Sequence, residues 1–418
     1  MKTLRNKSLP FIYFFIAVLS SVNAQSEAGA IFLLISPSPT QNGVGELSVC
    51  LPSNDVFAGF YNPANGLLGY QGLSAGASTE RIQWLKPLAD DLWYNYSVTG
   101  LGLIPGKYPF QLVISQHKTY LDLGEQVRTD DMGQVMSTFN AYMKAKALTA
   151  GIRTVVKLGR QPLHFSLGMT RKYAVQVLSD LENDSTAGPS ENVLFDYGFM
   201  LSLPISHPRM KVFREALDMS LTPSVGYSIS NVGGYVTFID PDQADPAPRL
   251  ARTGLALSAV ISLDSDWKIV EWRGGRAVSD ILIDTSDPQR RPYPYQSGLG
   301  DIDFVKHVLE SKADKSVTIS RGAEISVFEC FSYRQGRWID TSGRIDVNQT
   351  GYGVQLDGML KFLYHFTGQS GARKLAQFMD IQYNYSRWRQ YSGHPLDQTE
   401  FKSVVLILKN LDRFFIPK

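Results

Sequence analysis

The sequence predicts an all-β fold, a transmembrane antiparallel β-barrel of about 14 strands with an N-terminal hatch segment in its lumen. Three observations support this prediction: an export signal, an irregular segment behind it, and a long series of segments in which apolar and polar residues alternate. Alternation is typical of a strand whose two faces meet different environments. The order of the three features matches a barrel with a plugged lumen.

The N-terminus has the composition of a secretory signal peptide. A basic stretch precedes a short apolar core over 10–19, and small residues precede a cleavage point at Gln25. The core is too short for a membrane-spanning helix, which needs about 20 apolar residues. Residue 25 is not a cysteine, so no lipoprotein anchor is expected. We therefore expect a signal peptide at 1–24, a hatch at 25–65 and a barrel at 66–418, exported to the cell outer membrane.

The alternating segments favour a barrel in lipid over a soluble β-sandwich. Over 163–170 the odd positions are large and apolar and the even positions are small or polar. A sandwich would alternate too, but many segments are ten residues or longer, against about five or six in an ordinary strand. Their polar faces carry Gly, Ser, Thr, Arg and Lys, which suits a wet lumen. A closed barrel also leaves no unpaired strand edge in lipid.

About fourteen segments are predicted as strands, and short turns should alternate with long loops. The strands are expected at 66–79, 91–102, 109–120, 145–158, 161–175, 193–203, 218–231, 249–263, 267–275, 278–284, 319–334, 351–364, 376–389 and 400–414. The long loops are expected at 121–144, 179–192, 238–248 and 285–318.

The proposed hatch is rich in small and turn-forming residues over 42–65. It has no helical or strand period long enough for an ordinary element. Candidate hatch and hinge residues are Gly43, Gly45, Asn62, Pro63 and Ala64. The Asn-Pro-Ala step is expected to deliver the chain into the first strand.

The composition excludes several classes of function. The 41 Lys and Arg against 39 Asp and Glu give a net charge of +2, and no basic stripe with interleaved aromatic residues marks a nucleic-acid surface. No His or Cys spacing of a metal site occurs, and no cofactor is expected. His164 and Ser166 share one strand face, but alternation places both in the lumen. They lack an orienting third group and oxyanion donors, so no enzymatic activity is expected.

The two cysteines, Cys50 and Cys330, leave two interpretations open. Cys330 has the parity of lumen-facing residues, and Cys50 lies in the hatch, which also occupies the lumen. A disulfide between them would pin the hatch to the wall in an oxidising compartment. Alternatively, both are independent small buried residues.

The longest predicted loop, 285–318, offers a candidate partner-binding surface. Its candidate contact residues are Arg290, Arg291, Tyr293, Tyr295, Ile302, Val305 and Leu309. The first four lie in an irregular stretch, and the last three share one face of a short predicted helix. We expect that helix either to cap the barrel rim or to dock a partner.

Eight segments, taken in order along the chain, carry a resemblance to a known family. They are Gly29 to Ile35, Gly43-Val44-Gly45-Glu46, Tyr61-Asn62-Pro63-Ala64, Ile229 to Gly233, Pro248 to Gly254, Gly322-Ala323-Glu324, Tyr333-Arg334-Gln335-Gly336 and His394-Pro395-Leu396-Asp397-Gln398-Thr399. Together they resemble the PorV/PorQ family of outer-membrane barrels, which is related to the FadL-type fatty acid channels. The last segment is more similar to the PorV branch.

The resemblance implies a barrel with a lumen hatch and no chemistry of its own. PorV proteins belong to the type IX secretion system of Bacteroidota. The implied partners are outer-membrane lipid, the translocon barrel, the C-terminal sorting domains of cargo, and the surface sortase to which cargo is carried. The FadL relatives imply an alternative, a passive channel for hydrophobic small molecules. Its apolar pocket near the hatch would be lined by Leu33, Leu34, Phe57, Phe60 and Leu67.

Overall fold

The computed structural model describes residues 28–66, 74–103, 110–159, 161–179, 189–206, 210–212, 215–238, 244–263, 267–287 and 289–411. The predicted signal peptide lies outside these residues. Fourteen long strands form the wall: β1 (Ser74–Gln83), β2 (Trp93–Leu103), β3 (Phe110–Thr129), β4 (Val135–Leu158), β5 (Gln161–Val177), β6 (Ser190–Ser202), β7 (Glu215–Val232), β8 (Leu250–Leu263), β9 (Trp267–Ile281), β10 (Val317–Val327), β11 (Phe331–Asp340), β12 (Ile345–Gln355), β13 (Met379–Arg389) and β14 (Glu400–Leu408).

The wall is a closed antiparallel sheet, which confirms the predicted fold class. Each long strand pairs with the next one along the chain, and β14 pairs back to β1 through residues 403–408 and 75–80. Two short strands, Ile205–Ser206 and Met210–Val212, also pair with β7. Every long strand therefore has a neighbour on both sides, and no strand edge is left to face lipid.

The α-helices lie before the first wall strand or in a connection between two wall strands. Two short helices, α1 (Pro39–Val44) and α2 (Ala58–Tyr61), belong to the N-terminal segment that precedes β1. A helical pair, α3 (Leu356–Thr367) and α4 (Ser370–Phe378), connects β12 to β13. No helix within the described ranges is both long and apolar enough to cross a membrane.

The predicted number of strands is right, although two errors cancel within it. The predicted strands at 267–275 and 278–284 form one strand, β9, and the predicted strand at 319–334 is a hairpin of β10 and β11. The hairpin turns at Phe328 and Glu329, whose φ angles are +56° and +55°. Two central residues with positive φ occur in the turn that Asn-Gly usually makes, so Phe-Glu carries no turn signal.

Two other predicted segments have a different structure. The predicted loop at 121–144 is mostly strand, because β3 and β4 continue to a tip at 130–134. The predicted strand at 351–364 ends at Gln355 and continues as α3. The apolar residues of α3 fit a helical period as well as an alternating one, and such a short run does not separate helix from strand.

The two faces of the wall differ in chemistry, as β14 illustrates. Its inward residues Phe401, Ser403, Val405 and Ile407 are buried, with relative exposures of 0–3%. Its outward residues Val404, Leu406 and Leu408 are 56%, 41% and 38% exposed. Similar outward apolar side chains occur on the other strands, among them Ile114, Leu148, Leu167, Phe199, Trp272, Ile325, Tyr333, Tyr352 and Ile381. A continuous exposed apolar band of this kind belongs in lipid.

The two ends of the barrel are distinguishable by their connections. β1 begins and β14 ends at the same end, which we call the terminal end, and the Phe328–Glu329 turn and the pair α3–α4 also lie there. The opposite end, called the loop end, carries the β3–β4 tip at 130–134 and the long connection 282–316. In outer-membrane barrels the tight turns face the periplasm and the long loops face the cell surface.

The lipid-facing band should tolerate charge poorly. Leu406→Arg places a guanidinium between the exposed Val404 and Leu408, and we expect the folded barrel to lose about 2–4 kcal/mol in lipid vesicles. Urea titration of vesicle-inserted protein, followed by tryptophan fluorescence, measures this change. The control is Lys402→Arg, which keeps an outward charge on the same strand and should leave the midpoint unchanged. Equal midpoints for Leu406→Arg and wild type would contradict the lipid-facing assignment.

Candidate functional site

The N-terminal segment lies inside the lumen as the predicted hatch. Its helix α1 starts with Pro39 at its first turn, and the Ser38 hydroxyl accepts a hydrogen bond from Gln41 N at 3.1 Å. Nearly every hatch residue from Phe32 to Asn65 is buried or half-buried, although the segment is poor in regular structure. The buried N–H and C=O groups of so irregular a backbone need hydrogen-bond partners, and both the hatch and the wall supply them.

The wall meets the hatch through a ring of lumen-facing glycines. The glycine ring comprises Gly151, Gly168, Gly198, Gly226, Gly254, Gly322, Gly336 and Gly351, on strands β4 to β8 and β10 to β12. A Cβ at any of these positions would run into the hatch; at Gly168 it would meet the Pro63–Ala64 peptide, and at Gly226 the Val49 carbonyl. Wall backbone and hatch backbone therefore touch directly.

The predicted hatch glycines, Gly43 and Gly45, pack against this ring of wall residues. A Cβ on Gly43, within α1, would come within 3.2 Å of the Gly351 Cα. Gly45 ends α1 with φ +82°, and a Cβ there would meet the Arg321 carbonyl. At Gly45 the positive φ and the close approach both require glycine, whereas at Gly43 a Cβ would make contacts with Arg334 and Gly351 that are tighter than usual.

Asn62, Pro63 and Ala64 dock the hatch on β4, β5 and β6. The Asn62 Nδ2 donates to Val49 O at 2.8 Å within the hatch and to Phe199 O at 3.0 Å on the wall. The Asn62 Oδ1 accepts from Ala64 N at 2.9 Å, so every hydrogen-bonding group of this amide is used. The step into β1 runs through 67–73, outside the described residues, so the predicted hinge role stays a prediction.

A network of charged side chains lies in the lumen beneath the hatch. Glu324 accepts from both Arg273 and Arg334, and these side chains are 3%, 16% and 2% exposed. Arg273 also reaches the Pro52 carbonyl of the hatch at 3.4 Å. Further along the hatch, the Asp55 carboxylate accepts a hydrogen bond from Phe57 N at 3.0 Å, just before α2.

The cavities beneath the hatch are polar. One of about 840 Å³ lies under α3 and α4, beside the ion pairs Lys361–Glu329 at 2.8 Å and Lys409–Asp357 at 2.7 Å. A second, of about 550 Å³, adjoins Asn54 of the hatch. His164 lines this second cavity, and Ser166 on the same strand is buried, so the predicted lumen placement of both residues is confirmed.

The residues predicted to line an apolar pocket pack as core instead. Leu33 and Phe57 are 5% and 0% exposed, and they belong to a cluster with Tyr94 and Tyr96 of β2, against which Phe60 packs. Leu34 is half-buried, and Leu67 lies outside the described residues. Side chains of the hatch and of the wall therefore fill the space in which the apolar pocket was expected.

The cysteines are not joined. Cys50 is buried against the glycine ring at Gly254, and its Sγ lies 3.5 Å from Leu47 O. Cys330 follows the β10–β11 turn at the terminal end, with its Sγ 3.3 Å from Phe328 O. The structure thus has the second of the two arrangements open from the sequence, independent thiols.

The 282–316 loop folds back over the outside of the wall. Val308 packs with Val278 of β9 and with Val317 and Ile319 of β10, all outward-facing and all buried by the loop. A π-helix (Phe304–Leu309) carries Val308. This is neither a cap over the rim nor a free loop, and alternation alone gives no sign of it, because the covered residues have the parity of lipid-facing ones.

Asp314 fixes the loop from within. Its carboxylate accepts from Lys306 Nζ at 2.7 Å, from His307 Nε2 at 2.9 Å and from Val317 N at 3.0 Å. Partial burial alone would raise the pKa of Asp314, but these hydrogen bonds outweigh it and hold the pKa well below its usual range. The carboxylate is therefore ionised at neutral pH, and the loop stays tied to β10.

The predicted contact residues of this loop divide into two groups. Tyr293 is 6% exposed and packs on Ala28 of the hatch and on Ile283. The Tyr295 hydroxyl accepts from Ala247 N at 2.8 Å and donates to Gly234 O at 2.9 Å, so both tyrosines hold the loop end together. Both side chains therefore hold the loop in place, and a role for them in binding a partner stays a prediction. Arg290 and Arg291 are exposed, with Arg291 3.8 Å from Asp245.

The predicted common face of Ile302, Val305 and Leu309 is wrong. Ile302 precedes the π-helix and packs on the wall, whereas Val305 and Leu309 are 57% and 50% exposed. The wider winding of a π-helix displaces the expected spacing. With Leu299 and Phe304, 50% and 41% exposed, they form an apolar surface that we call the loop patch.

Comparison with known proteins gives only remote likenesses. No family profile and no curated protein matches the chain. Among solved structures, the Ralstonia pickettii toluene transporter TbuX is 8% identical, with 89% of this chain and 97% of that chain covered and a TM-score of 0.35. A Pseudomonas aeruginosa FadL homologue is 11% identical, with 90% and 97% covered and a TM-score of 0.34. Such values add nothing to the strand pairing described above.

Loss of the Asn62 amide should loosen the hatch. Asn62→Ala removes the hydrogen bonds to Val49 O, Phe199 O and Ala64 N, and we expect a cost of about 1–3 kcal/mol because buried carbonyls lose their donor. Hydrogen–deuterium exchange should rise in 47–64 while β10–β14 stays protected. The exposed Asn140→Ala on β4 is the control. Unchanged exchange in Asn62→Ala would contradict the docking role.

The two thiols should be distinguishable by reactivity. Denatured, unreduced protein should titrate two thiols, and in the folded protein only Cys330 should react, because Cys50 is fully buried whereas Cys330 is partly exposed. Mass spectrometry after maleimide labelling measures both values. Absence of free thiols in the denatured, unreduced protein would restore the disulfide hypothesis.

Proposed function

We propose that this protein is a plugged outer-membrane barrel without chemistry of its own that carries secreted proteins. In this proposal it receives the C-terminal sorting domain of a type IX cargo at the translocon barrel and delivers the cargo to the surface sortase. The loop end then faces the cell surface and the terminal end faces the periplasm, in line with the distribution of turns and loops.

One observation carries the proposal: apolar side chains are exposed on a rigidly held loop outside the lumen. Val305 and Leu309 of the loop patch are at least half exposed, although the same loop buries Val308 and Tyr293. An exposed apolar cluster on a fixed scaffold is typical of a surface that binds another protein. Because Asp314 ties the loop to the wall, binding would require little ordering of the backbone.

The filled lumen also supports a carrier. The hatch packs directly on eight wall glycines, at six of them through its own backbone atoms, and the apolar side chains of the hatch are packed against β2. The alternative, a channel for hydrophobic compounds, needs an apolar space along the lumen. Of the two lumen-side cavities described above, the smaller is lined mainly by charged and hydroxyl side chains, and the larger combines several charged side chains with Leu263, Trp267 and Ile407.

The carrier role can be tested at the loop patch. In a host with type IX secretion, the triple variant Phe304→Ser, Val305→Ser, Leu309→Ser should capture at least about 10-fold less cargo than wild type. The reason is that three apolar contacts of about 1 kcal/mol each are removed. Affinity purification of the tagged protein with quantitative mass spectrometry measures cargo and translocon together.

A second triple variant controls for loss of exposed apolar surface. Met132→Ser, Val135→Ser, Met136→Ser removes three side chains that are 87%, 67% and 61% exposed at the β3–β4 tip, and cargo capture should not change. Heat-modifiable mobility confirms that both barrels assemble. Equal capture by both triple variants would remove the loop patch from the proposal. Absence of sorting-domain proteins with the wild type, together with impaired uptake of hydrophobic compounds in a deletion strain, would favour the channel.

A further inference from the structure

Three arginines stand side by side on the outside of the wall. Arg276 of β9 is directly opposite Arg321 of β10, and Arg321 is directly opposite Arg337 of β11. All three have the parity of the lipid-facing residues Trp272 and Ile325, which lie four residues further toward the terminal end on β9 and β10. Like charges directly opposite on neighbouring strands destabilise a sheet, so this row calls for a compensating anion.

In the described part of the chain, one wall carboxylate, that of Asp346, faces this row of three positive charges, and it also attracts the Arg321 guanidinium electrostatically. Arg337 forms a two-point ion pair with Asp346, with Nε–Oδ1 and Nη2–Oδ2 distances of 2.7 and 2.6 Å. Arg276 donates to a neutral acceptor, Leu309 O, at 2.5 Å. The Arg321 side chain is exposed, and its guanidinium donates no hydrogen bond to any residue in the described part of the chain.

A groove of about 820 Å³ runs beside this row. Its floor is the backbone of Gly274, Gly275, Gly322 and Gly336, and the π-helix forms one side through Val308 and Leu309. Leu257 and Trp272 supply an apolar stretch on the terminal-end side of the arginines, and Leu255 lies directly opposite Arg276. The groove therefore has a cationic upper part at the border of the lipid band and an apolar lower part within that band.

We propose that this groove binds a phosphorylated lipid of the leaflet at the loop end. The phosphate lies between the Arg276 and Arg321 guanidinium groups, and an acyl chain follows Leu257 and Trp272 toward the middle of the membrane. Guanidinium groups bind phosphate oxygens at two points, and the groove is continuous with the lipid-facing band. This assignment needs only the barrel and does not depend on the carrier role.

Native mass spectrometry of the detergent-purified full chain tests the assignment. The probes are lipid A and its dephosphorylated form, which share acyl chains and differ in the phosphates. We expect one tightly bound lipid A and at least about 10-fold weaker binding of the dephosphorylated form, since charge-assisted hydrogen bonds are lost. Equal binding of both forms would overturn the assignment.

Variants locate the site. Arg321→Gln should weaken lipid A binding about 10-fold without disturbing the fold, because Arg321 holds no described residue in place. The double variant Arg276→Gln, Arg321→Gln should abolish the difference between the two lipids. Heat-modifiable mobility verifies assembly of each.

The matched control is Lys118→Gln, Lys146→Gln. These two outward, exposed lysines are also directly opposite one another, on β3 and β4, but away from the groove. Their loss should leave lipid A binding at the wild-type level. An equal loss in both double variants would show a general basic belt instead of a site, and wild-type binding in Arg276→Gln, Arg321→Gln would also refute the proposal.

Discussion

Direct contact between two backbones, that of the hatch and that of the wall, determines the rest of the structure. Side chains on both would hold them apart, so the eight lumen-facing glycines are the condition for an irregular segment to fill the barrel. The contact brings the Asn62 amide within reach of a wall carbonyl and puts Cys50 against Gly254. The two lumen-side cavities described above lie beneath the hatch, where charged side chains line the lumen.

The sequence predicts the barrel, but it does not predict where every strand and helix begins and ends. Alternation, export signal and strand length predict a closed wall with a plugged lumen. Alternation and strand length are visible in the sequence because each face of a strand meets a different environment over the whole width of the membrane. The Phe328–Glu329 turn could not be predicted, since the backbone there adopts positive φ without the residues that usually accept it. Helix α3 was missed because its apolar spacing satisfies two periods at once.

The site was partly visible in the sequence. Gly43, Gly45 and Asn62 were found as hatch residues from their turn-forming character, but their partners were not. The signal existed, because Gly168 and Gly226 sit at lumen positions of otherwise regular strands, where glycine usually marks a close backbone approach. The loop was identified as a surface element, yet its return along the outer wall depends on long-range packing of Val308, which no local pattern encodes.

The hatch begins at the loop end, where Gly29 N donates to Pro246 O at 3.0 Å and Ala28 meets Tyr293. From there the chain descends through the lumen before β1 starts at the opposite end, and β14 also finishes at that end. Counting the hatch, the polypeptide passes through the barrel an odd number of times, so Ala28 and Leu408 lie on opposite sides of the membrane. Because hatch and wall are in direct contact at the glycine ring, the fit favours closure of the wall around the hatch. In that order of events the hatch is a template for assembly as well as a plug.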